Sequence, residues 1–291
     1  MKESKKRIKD ALKKTTDKSD KFEKLVMDLA LKKMSGAQKD RFGVYYSKKQ
    51  KRLLMASKTL EGTYKIAEGT EEIENNAFWG CAFIDHIEIP ETVKYIGNEA
   101  FARCVSLQDL TIPASVEMLG KNPFLGMVSE NLHCLTHEYV IENKLLFTAN
   151  KQKIISCLTD AAMVIIPKNV VELNDLSFSR RRKLRKIVIP DTVVRIGSDA
   201  FSECDALEEV VIPASVQVIE PHAFSECDSL RKVTFLGTVN SLARNTFSNC
   251  DLLKKIIVPE GSLPEYLKDL HLPLEFEDIV VENIKHVVKH E

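Results

Sequence analysis

The sequence predicts an α/β solenoid, in which a parallel sheet winds into a right-handed superhelix with short helical turns, preceded by an N-terminal helical segment. Three observations support this prediction. Phenylalanine, cysteine and proline each recur every 23 residues through much of the 291-residue chain. Apolar and polar residues alternate before each proline, as in a half-buried strand. A fixed period of about 20–29 residues is typical of stacked coils, whose parallel crossovers are almost always right-handed.

The repeat is defined by three columns of residues that stay in phase. The columns are phenylalanine (Phe78, Phe101, Phe124, Phe178, Phe201, Phe224, Phe247), cysteine (Cys81, Cys104, Cys204, Cys227, Cys250) and proline (Pro90, Pro113, Pro167, Pro190, Pro213, Pro259). One coil cannot bury its own apolar edge, so neighbouring coils must stack against it. We therefore expect the phenylalanine and cysteine columns to be buried.

Each coil is predicted to contain three short segments. The pattern Leu-x-x-Val-x-Ile-Pro is a strand that ends at proline, because proline has no N–H to donate to a ladder. Val-x-x-Ile-Gly is a second extended run with a glycine turn. Ala-Phe-x-x-Cys is too short for a full helix and suits one helical turn.

The period breaks once, where 54 residues separate Pro113 from Pro167. The segments GVYYSKKQKRLLMAS near residue 46 and NKLLFTANKQKIISC near residue 147 resemble each other, and both predict hairpins. We therefore predict three regions. They are a basic helical N-terminal segment at 1–42, a solenoid at 43–259 with sub-arrays 43–138 and 139–259 that each open with a hairpin, and a C-terminal cap at 260–291.

The two ends of the chain lack the period. Near the N-terminus, apolar residues at helical spacing follow a capping candidate, Asp20, and predict a helix; they are Phe22, Leu25, Val26 and Leu29. Near the C-terminus, Leu263–Leu270 suits a short helix and Ile279–Val281 a final strand. Terminal units of solenoids are atypical because they cover an exposed core edge.

The repeat unit resembles the treponemal-type, or BspA-like, leucine-rich repeat. The matching residues are Ile96-Gly97, Ala100-Phe101, Cys104, Leu107 and Ile112-Pro113, with their equivalents 23 residues away, and they cover roughly residues 43 to 259. The resemblance implies a leucine-rich-repeat solenoid from a family of interaction and adhesion proteins with diverse partners. It therefore implies a binding scaffold and not an enzyme.

The charge distribution is asymmetric although the net charge is zero. Residues 1–52 contain 18 Lys/Arg and 7 Asp/Glu, and the rest of the chain contains 24 and 35. A basic head precedes an acidic body, which allows attraction between the two parts or contact with nucleic acid or an anionic membrane. No readable signal peptide or 18-residue apolar run is present, so with Met1 as the start we expect a cytoplasmic protein.

The residue patterns of common catalytic and metal sites are missing from the sequence. There is no phosphate-binding glycine loop and no Gly-x-Ser-x-Gly motif. The histidine and cysteine groups at 133–137 and 286–290 have no second pair at zinc spacing. The cysteine column suits buried thiols better than disulfides, and Met127 and Arg181 occupy the same column. We expect no catalytic residues, metal, cofactor or small-molecule substrate.

The outward positions of the second sub-array's strands predict a partner-binding surface. An exposed apolar stripe flanked by charge is typical of protein-binding surfaces. The candidate residues are Val188, Val211, Arg231, Lys232, Thr234 and Ile257. Basic, acidic and basic pairs follow one another at 185–186, 208–209 and 231–232, so the alternative is a face that neutralises itself through cross-strand ion pairs.

Two arginines in the segment SRRRKLRK complete the candidate site. Arg180 lies one coil from Glu203, and Arg182 one coil from Asp205. Either these arginines form ion pairs along the stack, or they contact an acidic ligand. Our leading hypothesis is a protein-recognition scaffold of unidentified partner. The alternatives are a surface adhesin or host-binding protein, and a nucleic-acid-associated adaptor that uses the basic N-terminal helices.

Overall fold

The computed structural model describes residues 36–128, 131–264, 266 and 279–282. In this part the chain forms a β-solenoid of about nine turns. Strands of successive coils pair in parallel with an offset of about one repeat, as for Val210 and Val233. The predicted parallel-sheet solenoid is therefore confirmed.

The strands divide between two halves of the solenoid. The first half contains β1 (Gln38–Lys39), β2 (Tyr45–Tyr46), β3 (Arg52–Met55), β4 (Glu61–Lys65), β5 (Glu72–Ile73), β6 (Phe83–Glu88), β7 (Tyr95–Ile96), β8 (Asp109–Ile112), β9 (Met118–Leu119) and β10 (Asn131–Cys134). The second half contains β11 (Tyr139–Glu142), β12 (Leu145–Thr148), β13 (Lys153–Cys157), β14 (Met163–Ile165), β15 (Glu172–Leu173), β16 (Lys186–Val188), β17 (Arg195–Ile196), β18 (Glu209–Ile212), β19 (Val218–Ile219), β20 (Lys232–Phe235), β21 (Ser241–Leu242), β22 (Lys255–Val258) and β23 (Val280–Glu282).

Each coil contributes to two kinds of sheet. The short-strand sheets are β1-β2-β3-β5-β7-β9 and β11-β12-β13-β15-β17-β19-β21. The long-strand sheets are β4-β6-β8-β10, β14-β16 and β18-β20-β22-β23. Antiparallel pairing occurs where each short-strand sheet begins, at β1-β2-β3 and β11-β12-β13, and the remaining pairs are parallel. The strands that end at the repeated prolines therefore present a face of their own, the long-strand face.

The Ala-Phe-x-x-Cys segments form turns, not the helical turns that the sequence predicted. Glu99 and Arg103 in one such segment have φ values of 52° and 59°, and this left-handed conformation stops an α-helix from propagating. The N–H groups of Phe101 and Arg103 instead donate to the next coil, at 2.8 Å from the carbonyl oxygens of Pro123 and Leu125. Apart from helical positions at Leu263, Pro264, Tyr266 and Ile279 near the C-terminal end, the described elements are strands and turns, so the α/β assignment is not supported for them.

The two ends of the chain are described only in part. Most of the predicted N-terminal helical segment, residues 1–35, lies outside the described residues. Residues 36–42 contain strand β1, paired with β2, so the helical assignment is wrong there. The helix predicted at Leu263–Leu270 also lies largely outside the described part. The final strand predicted at Ile279–Val281 is present as β23, parallel to β22.

A column of stacked phenylalanine rings runs through the core. The ring centroids of Phe178, Phe201 and Phe224 are 5.1 and 5.0 Å apart, with planes within 16° and 5° of parallel. Beside them, the thiols of Cys204 and Cys227 donate to the carbonyl oxygens of Phe178 and Phe201 at 3.3 and 3.2 Å. The predicted burial of both columns is confirmed.

The cysteines are all free thiols. Burial raises the pKa of the Cys81 thiol to about 12 and raises that of Cys104 well above its ordinary value. A thiol that stays protonated at neutral pH is a poor nucleophile and a poor metal ligand. Cys81 and Cys104 therefore contribute packing and weak hydrogen bonds to the core.

Candidate functional site

The apolar candidates lie in one row across the long-strand face. Val211 is opposite Thr234 in the ladder, and Thr234 is opposite Ile257. Val188 occupies the same place on β16, which lies next to β18. The structure therefore brings together the four residues that the alternation pattern selected.

The row extends further at both ends than the sequence predicted. Ile165 is opposite Val188, and Val281 is opposite Ile257. Ile165, Val211 and Val281 are 64%, 47% and 38% exposed. The available signal for Ile165 was its position two residues before Pro167, whereas Val281 lies where the period is lost. We call these six residues the apolar row: Ile165, Val188, Val211, Thr234, Ile257 and Val281.

The equivalent row in the first half is polar. There Lys65 is opposite Glu88, and Thr111 is opposite His133. Both halves share the same backbone plan, so this difference reflects side-chain identity and not fold. At these positions an apolar row therefore occurs only in the second half of the long-strand face.

Charged residues lie along one side of the apolar row. On four of the strands, the residue two positions before the row residue in sequence is charged; these are Lys186, Glu209, Lys232 and Lys255. The residue three positions before it is also charged; these are Arg185, Glu208, Arg231 and Lys254. We call these eight residues the charged flank; six are basic and two are acidic, so it is positive overall.

Most of the positive charge on this flank has no acidic partner. Lys232 Nζ lies 3.1 Å from Glu209 Oε2, as the cross-strand alternative predicted. Within the described part of the chain, the other five cations of the charged flank form no salt bridge; they are Arg185, Lys186, Arg231, Lys254 and Lys255. The flank therefore has more basic groups than acidic groups that pair with them.

On the short-strand sheets, in contrast to the charged flank, basic side chains pair with acidic ones. Arg195 lies 2.6 Å from Glu172, 3.0 Å from Asp175 and 3.3 Å from Glu220, and Lys121 lies 2.8 Å from Asp175. Burial alone would raise the pKa of Asp175, but hydrogen bonds from Lys121 and Arg195 outweigh it and hold this pKa below its ordinary value. Charges on this surface stabilise the stack of coils and leave little for a ligand.

Arg180 and Arg182 also form ion pairs that join neighbouring coils. Arg180 pairs with Glu203. Arg182 lies 3.0 Å from Glu203 and 3.5 Å from Asp205. Both arginines lie in the turn segment before β16 and not on the long-strand face. The structure thus favours ion pairing along the stack and does not bring these two candidates to the apolar row.

Arg181, between them, is buried, as its place in the cysteine column indicated, but the sequence did not show what its guanidinium group bonds to. Its side chain is 2% exposed, and Nη1 donates to the carbonyl oxygen of Met127 at 2.8 Å. Met127 belongs to the first half and Arg181 to the second, so this bond joins the halves where the period breaks. The available signal was a charged residue in the cysteine column.

The described residues do not group into a metal site. No three His, Cys, Asp or Glu side chains lie close enough to hold an ion in the part of the chain that the structure describes. The Cys134 thiol donates to the carbonyl oxygen of Tyr139 at 3.5 Å. His286 and His290 lie outside the described residues. Across the described ranges, no helix is long and apolar enough to cross a bilayer.

A family model described as BspA type leucine rich repeat region matches residues 71–161 and 154–266, with six copies. No curated protein matches the chain. Several solved structures are similar to the chain. A leucine rich cell surface protein from Faecalibacterium prausnitzii has a TM-score of 0.58 and 20% identity, and the match covers 74% of this chain and 63% of that one.

A leucine-rich repeat protein from Eubacterium ventriosum has a TM-score of 0.57 and 22% identity, and the match covers 71% of this chain and 64% of that one. The pneumococcal vaccine antigen PcpA has a TM-score of 0.54 and 20% identity, with 76% and 71% covered. The chain therefore spans less than two thirds of the first two structures. At these identities the likeness shows the fold.

Proposed function

The chain belongs to the BspA-type leucine-rich repeat family, and we propose that it is a non-enzymatic scaffold that binds a protein partner on the long-strand face of its second half. The observation that carries this proposal is the apolar row. Four of its residues, Ile165, Val188, Val211 and Val281, are exposed, and Thr234 and Ile257 are half-buried. The row crosses successive coils and is flanked by basic side chains, most of which form no salt bridge in the described structure. Apolar centres with charged surroundings are typical of protein interfaces.

The scaffold beneath the row supports binding because it is rigid. The row residues alternate with fully buried neighbours such as Val210, Val233 and Ile256. Parallel ladders fix the positions of the outward side chains from one coil to the next. A surface that is already ordered loses little conformational entropy when a partner binds.

A pair of matched variants tests this proposal. Val211→Asp with Arg231→Glu places negative charge in the row and its flank, and Thr111→Asp with Gln108→Glu places negative charge at row and flank positions of the first half. Both sites are solvent-accessible, so we expect melting temperatures close to that of the wild type. Proteins captured from native lysate by the wild type should be retained by the first-half control and lost by the second-half variant.

Retention of the same captured proteins by the Val211→Asp/Arg231→Glu variant would refute the proposed face. If those proteins were lost only on removal of residues 1–42, the basic N-terminal segment would be the binding element. The solenoid would then serve as its support.

A surface adhesin is the second candidate function. The observation that favours it is the description of similar structures as a cell surface protein and a vaccine antigen. The cytoplasmic location expected from the sequence finds no support in these comparisons. Fractionation of native cells, with surface protease treatment, separates the two: protection in the soluble fraction supports an internal scaffold, and digestion on intact cells supports an adhesin.

The nucleic-acid adaptor has less support. The family match and the similar structures name no nucleic acid, membrane or catalytic activity. Its basis is the basic segment at residues 1–52. A salt-dependent shift with DNA or RNA that disappears on deletion of residues 1–42 would establish it.

A further inference from the structure

We propose that the partner element bound by the apolar row is an acidic amphipathic α-helix that lies across the strands, along the axis of the solenoid. This inference rests on the proposed function, since it concerns the same face. It follows from two properties of the face: the spacing between successive members of the row, and the sign and position of the charge beside it.

The spacing of the row favours a helix over an extended segment. Successive members lie on neighbouring coils, and paired parallel strands of such coils are about 4.8 Å apart. The strands β16 and β18 share no ladder, but their two coils pair in parallel through β17 and β19, which sets the same step from Val188 to Val211. A helix advances about 5.4 Å per turn and so offers one apolar side chain at nearly every strand. An extended segment offers one side chain on the same side every 6.6–6.8 Å, approximately.

The mismatch between the spacing of the partner's side chains and the spacing of the strands grows along the row. Ile165 to Val281 spans five strand-to-strand steps, or about 24 Å. Over that length a helix drifts by about 3 Å, which flexible side chains can absorb, while an extended segment drifts by about 10 Å and loses register. A helix of about 16 residues matches the length of the row.

The positive charge of the flank favours a partner helix with negative charge. The charged flank lies on one side of the row and holds five cations without acidic partners in the described structure, on the coils of β16, β20 and β22. A helix with carboxylates along one edge of its apolar stripe would place them opposite these cations. Interfaces arrange opposite charges across from one another and penalise like charges.

The chain's own N-terminal segment is a poor occupant by the same criterion. It has an apolar periodicity, but residues 1–42 hold 14 Lys/Arg against 7 Asp/Glu. Its positive charge would oppose the charged flank. The partner element is therefore assigned to a separate acidic molecule.

Three synthetic peptides test the inference with the full chain. The first is a 16-residue helix with leucines at i, i+3, i+4 and i+7 and glutamates along one edge of the leucine stripe. The second replaces those glutamates with lysines, and the third has the composition of the first in an alternating, strand-like order. By fluorescence anisotropy the first peptide should bind at least about tenfold more tightly than either of the others.

Charge reversal in the protein provides a control that loss of folding cannot imitate. Arg231→Glu with Lys255→Glu should weaken binding of the acidic helix and strengthen binding of the lysine helix. Val211→Asp should weaken both, and Thr111→Asp on the first half should change neither. Melting temperatures should stay within a few degrees of the wild type, since these positions are not buried.

The inference is overturned if the alternating peptide binds best, if the lysine helix binds as tightly as the glutamate helix, or if no peptide binds. It is also overturned if deletion of residues 1–42 exposes a tighter peptide site, because the chain's own segment would then occupy the row. Loss of the lysate partner on Val211→Asp/Arg231→Glu, without binding of any peptide, would leave the scaffold function standing and refute only the helical partner.

Discussion

Replacing Phe201 with alanine tests whether the stacked rings hold the solenoid together. Phe201 is completely buried, and its ring stacks on Phe178 at 5.1 Å and on Phe224 at 5.0 Å. Truncation removes the ring from the core and leaves a cavity that the parallel coils above and below cannot close. We therefore expect the free energy of unfolding to fall by about 3–5 kcal/mol.

Part of that loss comes from the aromatic contacts themselves. A stacked aromatic pair contributes about 0.5–1.5 kcal/mol beyond the area that it buries. A double-mutant cycle on Phe201 and Phe224 should therefore give a coupling energy in this range. Phe124 and Phe178 flank the break in the period and form no ring contact among the described residues, so the same cycle on this pair should give a smaller coupling energy.

The assay is urea unfolding followed by circular dichroism and by tyrosine fluorescence. Coincident transitions would justify a two-state free energy, which repeat arrays do not always allow. Leu236→Ala, at a position 55% exposed, is the control and should change stability by less than about 1 kcal/mol. If Phe201→Ala unfolded at the same urea concentration as Leu236→Ala, the proposed core register would be wrong.

Two further predictions concern ionisable groups. Thiol labelling of the unfolded protein without reductant, followed by mass spectrometry, should find all seven cysteines free; a Cys204–Cys227 disulfide in native material would contradict the buried-thiol assignment. Asp175 has a pKa held below its ordinary 3.8 by Lys121 and Arg195, so its contribution to stability is complete above that value and is lost as pH falls through the folded-state pKa. The difference in unfolding free energy between the wild type and Asp175→Asn should therefore shrink on acidification from about pH 6 to about pH 3, and a difference independent of pH would exclude this role.

The repeat and its core follow from the residue pattern alone. A constant 23-residue step places Phe201 and Phe224, or Cys204 and Cys227, at equivalent points of successive coils. Equivalent points stack directly, because a solenoid has no other neighbours to offer them. The same alternation identifies Val211 as an outward residue, since successive side chains of a strand point to opposite faces.

Contacts between different coils follow only from the three-dimensional structure. In the turn segments, N–H groups donate to the next coil, and residues such as Glu99 adopt a left-handed conformation that excludes a helix. Segments this short carry no sequence pattern that predicts either feature. The burial of Arg181 depends on a carbonyl group 54 residues away, at the break in the period. The length of the apolar row depends on strand pairing at its two ends, and the free charge beside it depends on which side chains meet. A periodic sequence fixes what each coil repeats, but contacts at the interruptions and ends of the array follow from packing in three dimensions.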